Sequence, residues 1–219
     1  MPPTRIHLLR HGQGHHQLPP TSQNRLLPDP ALTPAGITKC KSFHDRIFPH
    51  DRLALSLLCA SPMRRAIQTA ALCFPSPAPR PIVLLPDAQE ATALPSDTGR
   101  ARGEIEAEFG EAVDAGLVGE GWNSNEGEYA GTKEALGERA RRLREWFWGC
   151  GEGEVGVVGH GMFWHWVTGE VDERGEQTSE FSLFLYFFFL CEGDGNREAV
   201  LTWVLSAPLG EYGVADLYA

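Results

Sequence analysis

Short apolar runs that stop abruptly at polar or charged residues set the pattern of this chain. Arg5-Ile6-His7-Leu8-Leu9 ends in Arg10-His11-Gly12, and Leu55 to Ala60 ends in Ser61-Pro62. Ile82 to Leu85 leads to Asp87-Ala88-Gln89-Glu90, and Glu154 to Gly159 runs into His160-Gly161. Runs of this length, punctuated by glycine and proline, predict buried strands. Helical patterns lie between them. Thr33 can cap a helix with Pro34 in its first turn, reaching about Phe48, and Met63 to Leu72 and Met162 to Thr168 follow the second and fourth strands. From Thr132, as cap, to Trp148, the residues Leu136, Ala140, Leu143 and Phe147 recur on one face. Two late runs, Glu180 to Cys191 and Glu198 to Leu205, flank Gly193-Asp194-Gly195-Asn196 and predict a hairpin.

Strands alternating with helices predict an α/β fold, a three-layer α/β/α sandwich around a mostly parallel sheet. A length of 219 residues suits one domain spanning 1–219. Ala91 to Gly131 has weak periodicity and many glycines, and is expected to form a cap-like insertion with a helix around Arg102 to Glu111.

Charge narrows the partners. Twenty-nine acidic residues against 19 basic ones give a net charge of -10, which excludes a general nucleic-acid or membrane-surface binder. The acidic stretch from Glu104 to Glu128 is expected to be solvated. Cys40, Cys59, Cys73, Cys150 and Cys191 are odd in number and contain no C-x-x-C pair, as expected of reduced thiols in a cytoplasmic protein. No signal-peptide core follows Met1, and the longest apolar run, Phe181 to Cys191, is too short for a membrane-spanning helix. Oligomeric state is not legible.

The crevice of a parallel α/β sheet lies beyond the carboxyl ends of its strands. Three junctions bring Arg10-His11, Arg64-Arg65 and His160 there. Imidazoles and guanidinium forks converging on one crevice form a cationic pocket suited to a tetrahedral oxyanion such as phosphate.

The motifs Leu9-Arg10-His11-Gly12, Ser61-Pro62-Met63-Arg64-Arg65-Ala66-Ile67-Gln68-Thr69-Ala70 and Val158-Gly159-His160-Gly161 resemble, in order and spacing, those of the histidine phosphatase superfamily, also called phosphoglycerate mutase-like. Asp29 to Gly36 resembles the family's D-x-x-L-T-x-x-G segment, so the likeness runs from residue 5 to about 170. The resemblance implies a metal-independent phosphatase without cofactor, acting on a small phosphorylated metabolite through a phosphohistidine on His11. Arg10, Arg65 and His160 would bind the phosphate, Arg65 being chosen over Arg64 because it directly precedes Ala66. Glu90, matching a glutamate that family members carry here, would donate the proton to the leaving group, with Asp97 as the fallback. The family often has asparagine six residues after its nucleophile, where this chain has Gln17, whose amide can still donate to phosphate. His15 and His16 are expected to be loop residues, with contact between one of them and the substrate as the alternative.

Other readings stay open at this stage. One is a phosphoglycerate mutase-type phosphotransferase; the absence of its longer cap and tail favours hydrolysis. Another is a non-catalytic binder or a family member recruited to a specialised pathway. A metal hydrolase could use the pairs His11/His15 and His160/His165, although neither forms a compact ligand set. Most tryptophans should be core, but Trp122, Trp164 and Trp166 could line a substrate pocket.

Overall fold

The computed structural model describes residues 5–47, 55–74, 81–151 and 153–168, with two further strands at 186–189 and 199–203. Five strands lie parallel: β1 (Arg5–Arg10), β2 (Leu57–Ala60), β3 (Ile82–Leu84), β4 (Val113–Asp114) and β5 (Glu154–Gly159). Two antiparallel strands, β6 (Tyr186–Phe189) and β7 (Ala199–Trp203), complete a sheet of order β4-β3-β2-β5-β1-β7-β6. These two are the paired cores of the expected hairpin; its turn lies outside the described residues.

Side chains of the central strands alternate between two cores. Leu9, Leu58, Ala60 and Val158 face a cluster completed by α2 (Pro34–Ile47), α3 (Arg64–Cys73) and α4 (Arg102–Phe109). Ile6, Leu8, Cys59, Val155 and Val157 face the other, completed by α5 (Lys133–Gly149) and α6 (Gly161–Val167). Both faces are covered, which is why the strands read as continuous apolar runs rather than alternating ones. The layers are therefore helix, sheet, helix.

The helix starts follow from local chemistry. Thr33 Oγ1 accepts from the Gly36 N–H at 2.9 Å at the start of α2, and Thr132 Oγ1 accepts from Ala135 N–H at 3.3 Å at the start of α5. A short helix, α1 (Thr21–Asn24), lies in the proline-rich loop. Residues 91–131 carry α4 and return β4 to the sheet edge beside β3. The glutamates of this stretch, Glu104, Glu106, Glu108, Glu111, Glu120, Glu126 and Glu128, are all exposed.

Candidate active site

Strand register brings the two key imidazoles together. Arg10 is opposite Gly159 in the parallel pair of β1 and β5, and the His11 N–H continues the ladder by donating to the Gly159 carbonyl at 2.9 Å. The next residue on each strand is a histidine, so His11 and His160 emerge side by side, with ring centroids 5.0 Å apart. That separation is close to the ordinary spacing of neighbouring strands, about 4.8 Å. Gly159 is needed at this point, because a Cβ there would fall 2.4 Å from the indole ring of Trp164. Trp164 is fully buried and donates from its indole N–H to the Leu9 carbonyl at 3.3 Å, tying α6 to β1.

The loop after His11 is held from two sides. Thr69 of α3 accepts from Gly12 N–H at 3.0 Å and donates to the Arg65 carbonyl at 2.7 Å. Thr33 donates through its hydroxyl to Gln13 Oε1 and through its N–H to the Gln13 carbonyl, both at 2.9 Å. A Cβ at Gly36 would fall 2.3 Å from that carbonyl, which explains the glycine ending the Asp29 to Gly36 segment. Asp29, fully buried, accepts from the Arg64 N–H at 2.9 Å and Arg100 Nε at 2.8 Å, and so anchors the first residue of α3. Arg64 itself pairs outward with Glu108, leaving Arg65 to turn inward.

His11 is buried, and its Nδ1 lies 2.8 Å from the Gly12 carbonyl. A carbonyl only accepts, so Nδ1 carries the proton and Nε2 presents a lone pair. Burial, followed by the charge of Arg65, holds the ring well below the usual histidine range, so it is neutral at neutral pH. His160 is assigned the opposite tautomer. Arg65 Nη2 donates to His160 Nδ1 at 3.2 Å, so Nε2 carries the proton and donates to Ser61 Oγ at 3.0 Å. Burial first, and then Arg65, lower its pKa too.

Arg65 is fully buried, with Nη1 donating to the Ser96 carbonyl at 2.6 Å and Nη2 to Asp97 Oδ1 at 2.9 Å. Asp97 also accepts from the Thr92 hydroxyl. These contacts make Asp97 the counter-ion of Arg65. Arg10 lies across the start of α6, where a Cβ at Gly161 would approach its Cδ and Nε to 3.2 Å. Three buried polar atoms here have no hydrogen-bond partner among the described residues: Nε of Arg10, Nε of Arg65 and Nδ1 of His16.

Glu90 is half-buried beside this cluster, near enough for the charges of Arg65 and Arg10 to act on it. Its Oε1 accepts from the N–H groups of Ala91 at 2.8 Å and Phe163 at 3.2 Å. Desolvation outweighs these bonds and raises its pKa above the usual carboxylate range.

Several participants were not expected. Gln17 belongs to the turn, with its Oε1 accepting from Gly14 N–H at 2.8 Å, which leaves only its amide nitrogen to donate elsewhere. His16 does not behave as a plain loop residue, since its ring stands 5.6 Å from that of His11. Arg139, on the apolar stripe of α5, is buried and donates from Nη2 to the carbonyls of Gln89 at 2.9 Å and Glu90 at 3.1 Å. Its guanidinium carbon sits 4.0 Å from the Phe163 ring centroid, and burial pushes its pKa down to about 10. An arginine one helical turn from Leu136 and Leu143 was the signal in the sequence for this residue. Trp122 and Trp164 are 1% and 0% exposed and Trp166 packs against the core, so the expected tryptophan lining is corrected to core packing.

Among the described residues, no group of three or more His, Cys, Asp or Glu side chains is placed to hold a metal ion. Nor is any described helix long and apolar enough to cross a membrane. Cys40, Cys59 and Cys73 are buried and Cys150 is partly buried.

Among solved structures, the chain is similar to the phosphoserine phosphatase of Entamoeba histolytica in complex with 3-phosphoglyceric acid, at 19% identity over 92% of this chain and 97% of that one, with a TM-score of 0.48. It is also similar to a mycobacterial glucosyl-3-phosphoglycerate phosphatase, at 18% identity over 77% and 81% with a TM-score of 0.47. The alpha-ribazole phosphatase of Shigella flexneri gives 20% identity over 71% and 73%, with a TM-score of 0.39. Such values carry no weight for assignment, and no curated protein matches the chain significantly in sequence. The family model of the histidine phosphatase superfamily (branch 1) matches residues 6–186, spanning β1, α3 and β5 and with them the strand ends that meet in the pocket, and the chain belongs to that superfamily.

Proposed function

We propose that the protein is a phosphomonoesterase that hydrolyses a small phosphorylated metabolite through a phosphohistidine on His11. The observation that supports this reading is the bond from His11 Nδ1 to the Gly12 carbonyl at 2.8 Å, which leaves Nε2 unprotonated on a ring 5.0 Å from that of His160. Nε2 attacks phosphorus as the P–O ester bond breaks, and the protonated Glu90 gives its proton to the departing alkoxide. Both backbone donors to Glu90 fall on Oε1, so Oε2 is the oxygen to carry that proton. Water then attacks the phosphohistidine, Glu90 takes up a proton from it, the P–N bond breaks, and inorganic phosphate leaves His11 as it began.

Arg10, Arg65 and His160 bind the phosphoryl oxygens, with Gln17 contributing its amide nitrogen. In a buried setting these donors stabilise charge spreading over a metaphosphate-like transition state, His160 exchanging its bond to Ser61 for one to the phosphoryl group. The reaction needs no metal and no cofactor. The cytoplasm, with its reduced thiols and phosphorylated metabolites, is the proposed setting.

The test is release of inorganic phosphate from a panel of phosphomonoesters in the presence of chelator, alongside interconversion of 3- and 2-phosphoglycerate. Wild type should release phosphate undiminished by chelator, and a labelled substrate should leave acid-labile label that His11→Ala lacks. A wild type that neither turns over nor becomes labelled with any member of the panel would refute the reading.

A further inference from the structure

The turn after His11 ends in two adjacent polar side chains, His16 and Gln17, and the Gln17 carboxamide closes the turn on itself. Gln17 returns its carboxamide oxygen to Gly14 N–H at 2.8 Å. His16, the residue before it, has its ring centroid 5.6 Å from that of His11 at an interplanar angle of 54°. Its position is built: a Cβ at Gly14 would fall 2.8 Å from both Cε1 and Nδ1 of the His16 ring. Nδ1 is buried with no partner among the described residues, as are the Nε groups of Arg10 and Arg65. These three buried atoms belong to one cationic cluster. Burial, then Arg65, Arg10 and Arg25, push the His16 pKa down to about 3, so the ring is neutral and carries one N–H donor.

A neutral ring that merely filled space in a loop would not need an unpartnered nitrogen close to two arginines whose Nε groups also lack partners. A phosphoryl oxygen supplies what the arrangement lacks, because it accepts from a ring N–H and offsets both arginines at once. Resting on the phosphatase reading, we infer that His16 contacts the substrate, donating a ring N–H to a non-bridging oxygen of the phosphoryl group carried by His11. The proton stays on the ring, so His16 binds and orients without joining the transfer.

The experiment is calorimetric titration of inorganic phosphate into wild type, His16→Phe and His16→Asn, which needs no turnover. Phenylalanine keeps a ring over Gly14 without a donor, and asparagine restores a donor on a shorter stem. Phosphate should bind about tenfold more weakly or worse to His16→Phe, as expected for one lost hydrogen bond to an anion, and His16→Asn should recover part of that loss. With a phosphomonoester, kcat/KM should follow the same order while melting temperatures stay close to wild type. Should His16→Phe fail to fold, tighter phosphate binding by His16→Asn than by His16→Ala carries the same expectation. Wild-type affinity in His16→Phe, or equal affinity in the Asn and Ala variants, would overturn the role of His16 and leave the pocket intact. A wild type that binds no phosphate would overturn the pocket reading as well.

Discussion

Acid should weaken this fold through its buried imidazoles, and His160 allows the loss to be counted. The ring is fully buried and held neutral by desolvation and by Arg65, His16, Arg10 and Arg139, with His11 alongside. In the unfolded chain it titrates near the ordinary value of 6.5. Between that value and its depressed folded pKa the unfolded state binds one more proton, so stability falls as pH falls. At one pH unit below the unfolded pKa the loss from His160 is about 1.4 kcal/mol, and it grows by a similar amount per further unit until the folded pKa is reached. Half-buried Glu90, whose pKa is raised, contributes with the opposite sign, so wild type alone does not isolate the histidine. A paired comparison does: urea unfolding of wild type and His160→Gln, each at pH 7.5 and pH 5.5. The variant loses the bonds to Ser61 and Arg65 at both pH values, and that cost cancels within its own pair. Wild type should lose about 1.4 kcal/mol more than the variant on acidification. Equal losses would mean that His160 is already protonated in the folded protein, against the hydrogen-bond pattern that makes its Nδ1 an acceptor.

Glu90→Gln should slow turnover of alkyl phosphates by about a hundredfold or more while sparing p-nitrophenyl phosphate, whose leaving group needs little help. In wild type, alkyl phosphate turnover should decline as pH rises through the raised Glu90 pKa, and the variant should lack that alkaline limb in a pH-rate profile. Asp97→Asn removes the counter-ion of fully buried Arg65, which should cost about 3 kcal/mol in urea unfolding. Saturating phosphate should then raise its melting temperature more than that of wild type; an equal rise would show that Arg65 does not meet the anion. Arg139→Met leaves the carbonyls of Gln89 and Glu90 without their donor and should destabilise by about 2 kcal/mol. Its kcat should fall more for alkyl phosphates than for p-nitrophenyl phosphate, and a uniform fall would reduce Arg139 to a stabilising role.

What the sequence disclosed depended on how local the determining physics was. The central strands were legible because both faces are covered, so β1, β2, β3 and β5 read as apolar runs ended by a turn. Thr33 and Thr132 declared their helices through side-chain caps that depend only on neighbours a few residues away. Strand β4 was hidden: two residues, Val113–Asp114, carry no periodicity, and only pairing with β3 makes them a strand. The burial of Trp122 and Trp164 depends on glycines that leave room for their rings, Gly159 beneath Trp164 and Gly99 beneath Trp122, where a Cβ would come within 2.4 and 2.1 Å, and no periodicity marks that fit.

The same division runs through the pocket. His11 and His160 were legible because each ends an apolar run, and parallel register does the rest. His16 was not, because its direction is set by the turn in which Gln17 binds Gly14 and by the missing side chain at Gly14, neither of which leaves a periodic trace. In a chain with a net charge of -10 the glutamates of 104–128 are exposed, whereas Asp97 engages Arg65 within the cluster itself. The carboxylate nearest the buried cations therefore has two separable effects, stabilising Arg65 in the fold and competing with any anion for it. That competition is why Asp97→Asn should lose stability in buffer yet gain the larger response to phosphate, a pair of opposite signs that a simple packing defect would not produce.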